Sequence, residues 1–210
     1  MMATGPMRSN LSAVVAGLLL SLGALYGIYV SVRMAHAQNI YFEVKYGRLK
    51  GQPDVVLSEC ERGYSYDASN YYQAILAAET AYYQRFDPRG VEIPARVQAV
   101  ERWCDRGLAL NPCKSQLRLL KAHLIERRSP AEAAAYWRKY VAWSFWMPEF
   151  HAELAGLYAA AGNYEAALDA LEWTRGSPHY EPTRHKILTI WRRESRSQAL
   201  PGMPIKPLAP

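Results

Sequence analysis

The histidines and their acidic neighbours are the side chains best suited to hold a metal ion or to carry acid–base chemistry. The chain has five histidines. Only two local groups form around them, His123 with Glu126, and His179 with Glu181 and His185. Neither group has the H-E-x-x-H spacing, which places two imidazoles on one helix face beside a general base. We therefore expect no metal site and no catalytic residue among them.

The sequence also lacks the short motifs that prepare a backbone for nucleotide or acyl chemistry. It contains no G-x-x-x-x-G-K-[ST], no strand-linked G-x-G-x-x-G and no G-x-S-x-G. The net charge is a modest +6, and the basic cluster at 184–196 lies on no recognisable nucleic-acid-binding fold. We expect no cofactor, no nucleic-acid partner and no enzymatic activity, and a solvated surface for the basic cluster.

The three cysteines, Cys60, Cys104 and Cys113, include no C-x-x-C pair, which argues against a zinc finger or a disulfide scaffold. Cys60 and Cys104 occupy equivalent positions of an internal repeat. We expect both to be buried, because cysteine packs as a small hydrophobe. Cys104 and Cys113 flank a predicted helix end, so a disulfide between them stays open as an alternative.

Aromatic residues are densest in 136–148, the run Tyr-Trp-Arg-Lys-Tyr-Val-Ala-Trp-Ser-Phe-Trp-Met-Pro. On a helix, Tyr140 and Trp143 share one face while Trp137 projects elsewhere. Aromatic side chains are favoured as anchors of protein interfaces. The sequence therefore predicts a protein-binding surface at Trp137, Tyr140, Trp143 and Trp146, with the filling of seams between helices as the alternative.

Residues 11–32 form an uncharged run of 22 residues near the N-terminus. As a helix it would reach roughly 33 Å, enough to cross a hydrocarbon core of about 30 Å. We predict a single transmembrane helix that contacts the lipid bilayer. Gly23, Gly27 and Ser31 form a small-residue row that lets helix backbones approach closely, so they are candidates for packing on a membrane partner. Alternatively, these small residues reflect only the usual composition of membrane helices.

The tripeptide Ala35-His36-Ala37 has the small-x-small form of a signal-peptidase site, which leaves cleavage after Ala37 as an alternative. Against cleavage, the apolar run is longer than a usual signal core of about 7 to 15 residues, and Arg33 separates it from the site. We expect an uncleaved anchor.

The orientation of the anchor has two opposing indicators. More basic residues follow the span, with Arg33, Lys45, Arg48 and Lys50, than precede it, with Arg8. By the positive-inside rule this places the following domain in the cytoplasm. A short head before a large domain is instead typical of a signal-anchor, and on that ground we expect the domain on the extracytoplasmic, periplasmic side.

Beyond the span the pattern predicts an all-α protein, because no stretch shows sustained two-residue alternation. Pro, Gly, Asn and Ser punctuate the helices. The predicted organisation is a head at 1–10, the transmembrane helix at 11–32, a connector without a clear period at 33–52, helical repeats at 53–197 and a Pro-rich tail at 198–210. The predicted helices are 53–63, 69–86, 94–110, 114–127, 130–145, 148–161, 164–175 and 181–197.

Internal repeats indicate how these helices are arranged. The segment from Cys60 to Ala68 aligns with the segment from Cys104 to Pro112, which lies 44 residues later. Val100, Ala134 and Ala167 follow one another at spacings of 34 and 33 residues. Such spacings are typical of stacked helical hairpins.

The segment 154–171 resembles the tetratricopeptide repeat, whose unit has a large-small-x-x-aromatic first helix, a Gly-Asn/Asp-Tyr turn and a second helix that opens on Ala-Leu. The matching residues are Leu154, Ala155, Tyr158, Gly162, Tyr164, Ala167 and Leu171. The resemblance extends more loosely over 53–182, roughly three to four units. It implies an α-solenoid of antiparallel helix hairpins that serves as a protein-binding scaffold rather than as an enzyme.

These expectations combine into a single-pass, membrane-anchored adaptor. It would bind another protein, in or at the membrane, of a cell-envelope assembly such as secretion, cell-wall or surface-polysaccharide machinery. The alternative is an accessory structural subunit of a membrane enzyme or electron-transfer complex, docked through the small-residue row of its transmembrane helix.

Overall fold

The computed structural model of the protein describes residues 7–47 and 51–198, so residues 1–6 of the predicted head and 199–210 of the Pro-rich tail lie outside it. Within the described ranges the chain is all-helical and has no strand, apart from an isolated bridge between Phe86 and Glu92. The helices are α1 Met7–Tyr46, α2 Pro53–Tyr66, α3 Tyr71–Tyr83, α4 Pro94–Leu110, α5 Ser115–Glu126, α6 Pro130–Val141, α7 Pro148–Ala160, α8 Tyr164–Glu172 and α9 Tyr180–Gln198.

Helix α1 has 40 residues and combines two environments. Its apolar first part is exposed, and it is long and apolar enough to cross a membrane. From Ala37 onward one face is buried, through Ile40, Tyr41 and Val44. These positions recur at the three- and four-residue spacing of a helix face. The sequence-based prediction of a connector without a period at 33–52 was therefore wrong as far as Tyr46, where α1 ends.

The buried side chains form two neighbouring clusters that share α5. The first joins the end of α1 to α2, α3, α4 and α5 around Trp103, and the second joins α5 to α6, α7, α8 and α9 around Trp137. Leu117 of α5 belongs to the first cluster, whereas Ala122 of the same helix belongs to the second. A helix that buries opposite faces in two clusters links them into one continuous stack.

Each helix packs on the next one along the chain, and three pairs of alternate helices also touch, namely α1 with α3, α3 with α5 and α7 with α9. Most connections between successive helices are short, although the one between α3 and α4 spans residues 84–93. Contacts place the end of one helix beside the start of the next, as with Gly107 of α4 against Leu117 of α5, so neighbouring helices are antiparallel.

The repeat of 44 residues corresponds to matching helix contacts. Gly63 of α2 lies against Gln73 of α3, where an added Cβ would meet the amide nitrogen at 2.3 Å. Gly107 of α4 lies against Leu117 of α5, where an added Cβ would meet Cδ1 at the same distance. The glycine and its contact residue have the same separation in both pairs. In each pair the glycine lets two helices approach at a point where any larger side chain would collide.

The turn between α7 and α8 is built by Gly162 and Asn163. Gly162 has a φ of +73°, a left-handed conformation that favours glycine. The Asn163 backbone N–H donates to the carbonyl of Tyr158 at 2.9 Å, closing the end of α7 as a Schellman motif does. The Asn163 side chain then accepts from the N–H of Ala166 and caps the start of α8.

Candidate functional site

The best candidate for a binding site is a groove on the face of the odd-numbered helices. It has a volume of about 350 Å³ and lies between α5, α7 and α9. Polar and charged side chains from all three helices and the turn before α9 line it, together with the rings of Trp137 and Phe150. The principal lining residues are Gln116, Leu119, Glu149, Phe150, Glu153, His179 and Lys186.

Polar contacts link the helices that form this face. His123 of α5 approaches Glu153 of α7, with Nε2 and Oε2 3.7 Å apart. The other ring nitrogen of His123 lies 3.4 Å from the hydroxyl oxygen of Tyr82 on α3. Gln116 of α5 donates to the carboxylate of Glu79 on α3 at 2.6 Å. The contacts join α3, α5 and α7 across their exposed side.

Glu153 is the charged centre of the groove. The adjacent His123 ring lowers the pKa of the Glu153 carboxyl below its usual value, despite burial, and Lys186 and His179 act in the same direction. A carboxylate whose ionised form is favoured by its surroundings is suited to a partner that supplies hydrogen-bond donors or a basic side chain.

Lys186 of α9 reaches the groove across a glycine. An added Cβ at Gly156 of α7 would lie 2.8 Å from the Lys186 ammonium nitrogen, so the lysine side chain passes directly over the helix backbone. Glu153 and Lys186 thereby present opposite charges within one cavity. The site can bind a segment of mixed charge by ion pairs and hydrogen bonds.

The aromatic surface predicted from sequence is divided by the structure. Trp137 and Tyr140 are only 1% and 7% exposed, whereas Trp143 and Trp146 are 79% and 64% exposed. Trp137 Nε1 donates to the carbonyl of Phe150 at 3.0 Å, so its polar group is satisfied inside the core. The prediction of a partner surface at Trp137 and Tyr140 was therefore wrong, because both rings fill the seam between α6 and α7.

The exposed rings include residues that the sequence analysis did not single out. Phe145 packs edge-on against Trp146, with ring centroids 5.4 Å apart. Trp173, in the turn after α8, stacks on His151 of α7 at 5.1 Å. His151 Nε2 lies 2.7 Å from the carbonyl oxygen of Phe145, which accepts its hydrogen bond. No local spacing in the sequence connects Trp173 with the turn that carries Phe145.

The small-residue row of α1 has no partner within the described chain. A Cβ added at Gly23 or Gly27 would have no other atom within 4 Å. The Ser31 hydroxyl donates back to the carbonyl of Gly27 at 2.8 Å. The face that these residues share is therefore open to another molecule.

The candidate histidine groups are not assembled into a metal site. Across the described residues no group of three or more His, Cys, Asp or Glu side chains could hold a metal ion. His179 lines the groove, whereas His185 does not.

The cysteines are separated by environment. Cys60 and Cys104 are buried, as predicted, and Cys113 is exposed, and all three are free thiols. Burial raises the pKa of the Cys60 and Cys104 thiols to about 12. The disulfide that the sequence left open between Cys104 and Cys113 is not formed.

No protein-family model matches the chain, and no curated protein is significantly similar to it. The function is therefore inferred from the fold and the groove.

Proposed function

We propose that the protein is a non-catalytic, membrane-anchored adaptor that binds another protein of a cell-envelope assembly. The observation that carries the proposal is the groove on α5, α7 and α9, in which Glu153 and Lys186 offer opposite charges beside apolar side chains. A partner segment lying there would bury apolar surface and pair with both charges. The exposed apolar part of α1 supports membrane attachment.

Helix packing supports a tetratricopeptide-like solenoid. The pairs α1/α2, α3/α4, α5/α6 and α7/α8 are consecutive hairpins, and the contacts of α1 with α3, α3 with α5 and α7 with α9 join the first helices of neighbouring hairpins. In this arrangement the end of α1 supplies the first helix of the first hairpin, and α9 closes the stack. Each hairpin buries an apolar face on its neighbour.

The anchor would contribute to binding by confining the adaptor to the membrane. A partner in or at the same membrane meets the groove at a raised effective concentration, so a modest intrinsic affinity suffices for a stable complex. We place the helical domain on the extracytoplasmic side, as a short head followed by a large domain indicates.

The proposal is tested by purifying the tagged full-length protein from its native membrane in a mild detergent and quantifying bound proteins by mass spectrometry. The groove variant is Lys186→Glu. The matched control is Lys139→Glu, a charge reversal at an exposed position of α6 outside the groove. We expect one stoichiometric partner with the wild type and the control, and at least about tenfold less with Lys186→Glu, a change that corresponds to about 1.4 kcal/mol.

The open face of α1 favours a second candidate, the accessory subunit docked through its membrane helix. Gly23→Leu and Gly27→Leu would fill that face without touching the groove. A partner that is lost with these changes and retained with Lys186→Glu contradicts the adaptor and assigns the protein to a membrane complex.

A further inference from the structure

Four of the exposed aromatic rings lie at one end of the stack of helices, whereas Tyr83 and Phe86 are exposed at the opposite end. Because successive helices are antiparallel, every turn from an even-numbered to an odd-numbered helix lies at the same end. These turns are 67–70, 111–114, 142–147 and 173–179. They include Trp143, Phe145, Trp146 and Trp173, and the exposed Leu110 immediately precedes the second turn.

Contacts between the turns join them into one surface. Gly107 at the end of α4 lies against Ala74 at the start of α3. The Tyr140 hydroxyl at the end of α6 donates to the carbonyl of Cys113 in the preceding turn at 3.0 Å. His151, which contacts both Phe145 and Trp173, links the last two turns.

This end of the domain is also the end from which α1 leaves. Arg33 is the first residue after the uncharged run, and its guanidinium donates to the carbonyl of Ser65 at the end of α2 at 2.6 Å. One turn further along, His36 packs edge-on against Tyr66 with ring centroids 4.5 Å apart. The domain therefore begins where the span ends, without a linker.

The absence of a linker determines the height of the domain above the bilayer. The headgroup layer on each side of the hydrocarbon core is only about 5 to 8 Å thick. A domain held at Arg33 by a continuous helix cannot rise above that layer, so the neighbouring turns face it directly.

The composition of these turns suits the headgroup layer. Tryptophan is enriched at membrane interfaces, because its ring is largely apolar and its N–H remains hydrated. The four turns carry three charged residues, Asp67, Lys114 and Arg175. At the opposite end, the turns 84–93 and 127–129 carry six, namely Arg85, Asp87, Arg89, Glu92, Arg127 and Arg128, and the turn 161–163 carries none.

We propose that Trp143, Phe145, Trp146 and Trp173 form a membrane-contacting surface that inserts among the lipid headgroups and sets the tilt of the helical domain on the bilayer. The proposal rests on the membrane anchoring in the proposed function. The lipid occupant is favoured over a protein because α1 enters the bilayer at this end. The surface would fix the direction in which the groove opens.

The test uses the full-length protein in lipid nanodiscs that contain phosphatidylcholine spin-labelled near the headgroup, which quenches tryptophan fluorescence at that depth. The variant Trp143→Phe, Trp146→Phe, Trp173→Phe removes the three surface emitters and keeps aromatic rings in place. Trp103 and Trp137 remain as buried emitters, and Trp191 remains as a half-buried emitter on α9. The control is Trp191→Phe on α9, which leaves all three turn tryptophans intact.

We expect quenching in the wild type and in the control, and its loss in the triple variant. Unquenched emission from protein that co-migrates with the nanodiscs overturns the proposed surface and leaves the anchor intact. Failure to co-migrate overturns the anchor as well. Acrylamide could quench the surface tryptophans in nanodiscs but not in native membranes. That result would assign the surface to a protein partner and overturn the lipid proposal.

Discussion

The side-chain amide of Gln73 donates a hydrogen bond of 2.9 Å to the backbone carbonyl of Ala37, inside the contact between α1 and α3. Both residues are fully buried. Gly63 leaves the space that Gln73 occupies, since any Cβ there would collide with the amide. The end of α1 is thus part of the core of the domain.

This contact predicts that the anchor is retained. The bond between Ala37 and Gln38, which a signal peptidase would cut, lies within a helix and its carbonyl is bonded to Gln73. We expect intact mass spectrometry of the native protein to include the residues before Gln38. Ala35→Leu removes the small-x-small pattern at an exposed position and serves as the control. A wild-type chain that begins at Gln38, beside an unprocessed Ala35→Leu variant, would contradict the prediction.

Gly107→Ala is expected to destabilise the domain relative to Gly156→Ala. Both glycines lie within helices, so both changes gain about 1 kcal/mol of helix propensity. At Gly107 the new methyl meets buried Leu117 and Ala74, and overpacking of a core costs about 1 to 3 kcal/mol. At Gly156 it meets only the flexible end of exposed Lys186, which can move away.

Thermal unfolding followed by circular dichroism in mild detergent compares the two glycine variants. Gly156→Ala should equal or exceed the wild type, and Gly107→Ala should unfold at a lower temperature than Gly156→Ala. Equal melting temperatures for the two variants would show that the approach of α4 to α5 is not tightly packed.

Local sequence signals predicted the positions of most helices. Pro94, Pro130 and Pro148 each occupy the first turn of a helix, where the missing N–H has no cost and the fixed φ suits the helix. Asn163 likewise caps α8. The helical character of 33–46 was missed because its apolar positions become recognisable only against the α2 and α3 surface that buries them.

The candidate sites were less predictable because they depend on where a helix ends and which helices meet. The helix predicted from Pro130 extends to residue 145, whereas α6 ends at Val141. Trp143 and Trp146 therefore lie in the turn after α6 and not on the helix face that buries Trp137 and Tyr140. The contact of His123 with Glu153 joins residues on separate helices, and nothing in their spacing indicates it.

Only Cys113 is expected to react with a thiol reagent in the folded protein. Its side chain is exposed, whereas burial raises the pKa of the Cys60 and Cys104 thiols to about 12, so almost no thiolate is present at neutral pH. Alkylation followed by intact mass spectrometry should give one adduct under native conditions and three after denaturation. Cys113→Ser should give none in the folded state, and a native adduct on that variant would show that a buried cysteine becomes accessible.

Glu153→Gln is expected to lower stability at neutral pH and to lose this effect in acid. The folded pKa of Glu153 is below its ordinary value of 4.5, first because of the neighbouring His123 side chain. A carboxyl whose pKa is lowered by folding stabilises the folded state when the pH is above its pKa in the unfolded chain. That contribution disappears as the pH falls through its pKa in the folded state. The melting-temperature difference between wild type and Glu153→Gln should therefore be present above pH 4.5 and shrink as the pH falls below that value.

His123→Gln supplies the matched background for this measurement. Without the histidine partner, Glu153→Gln should change the melting temperature much less, and its pH dependence below 4.5 should flatten. The melting-temperature effect of Glu153→Gln could instead keep the same size and pH dependence with and without His123. That result would mean that Lys186 and His179, rather than His123, hold the Glu153 carboxylate ionised. The groove would then be organised from α9, and Lys186→Glu would destabilise the folded domain as well as weaken partner binding.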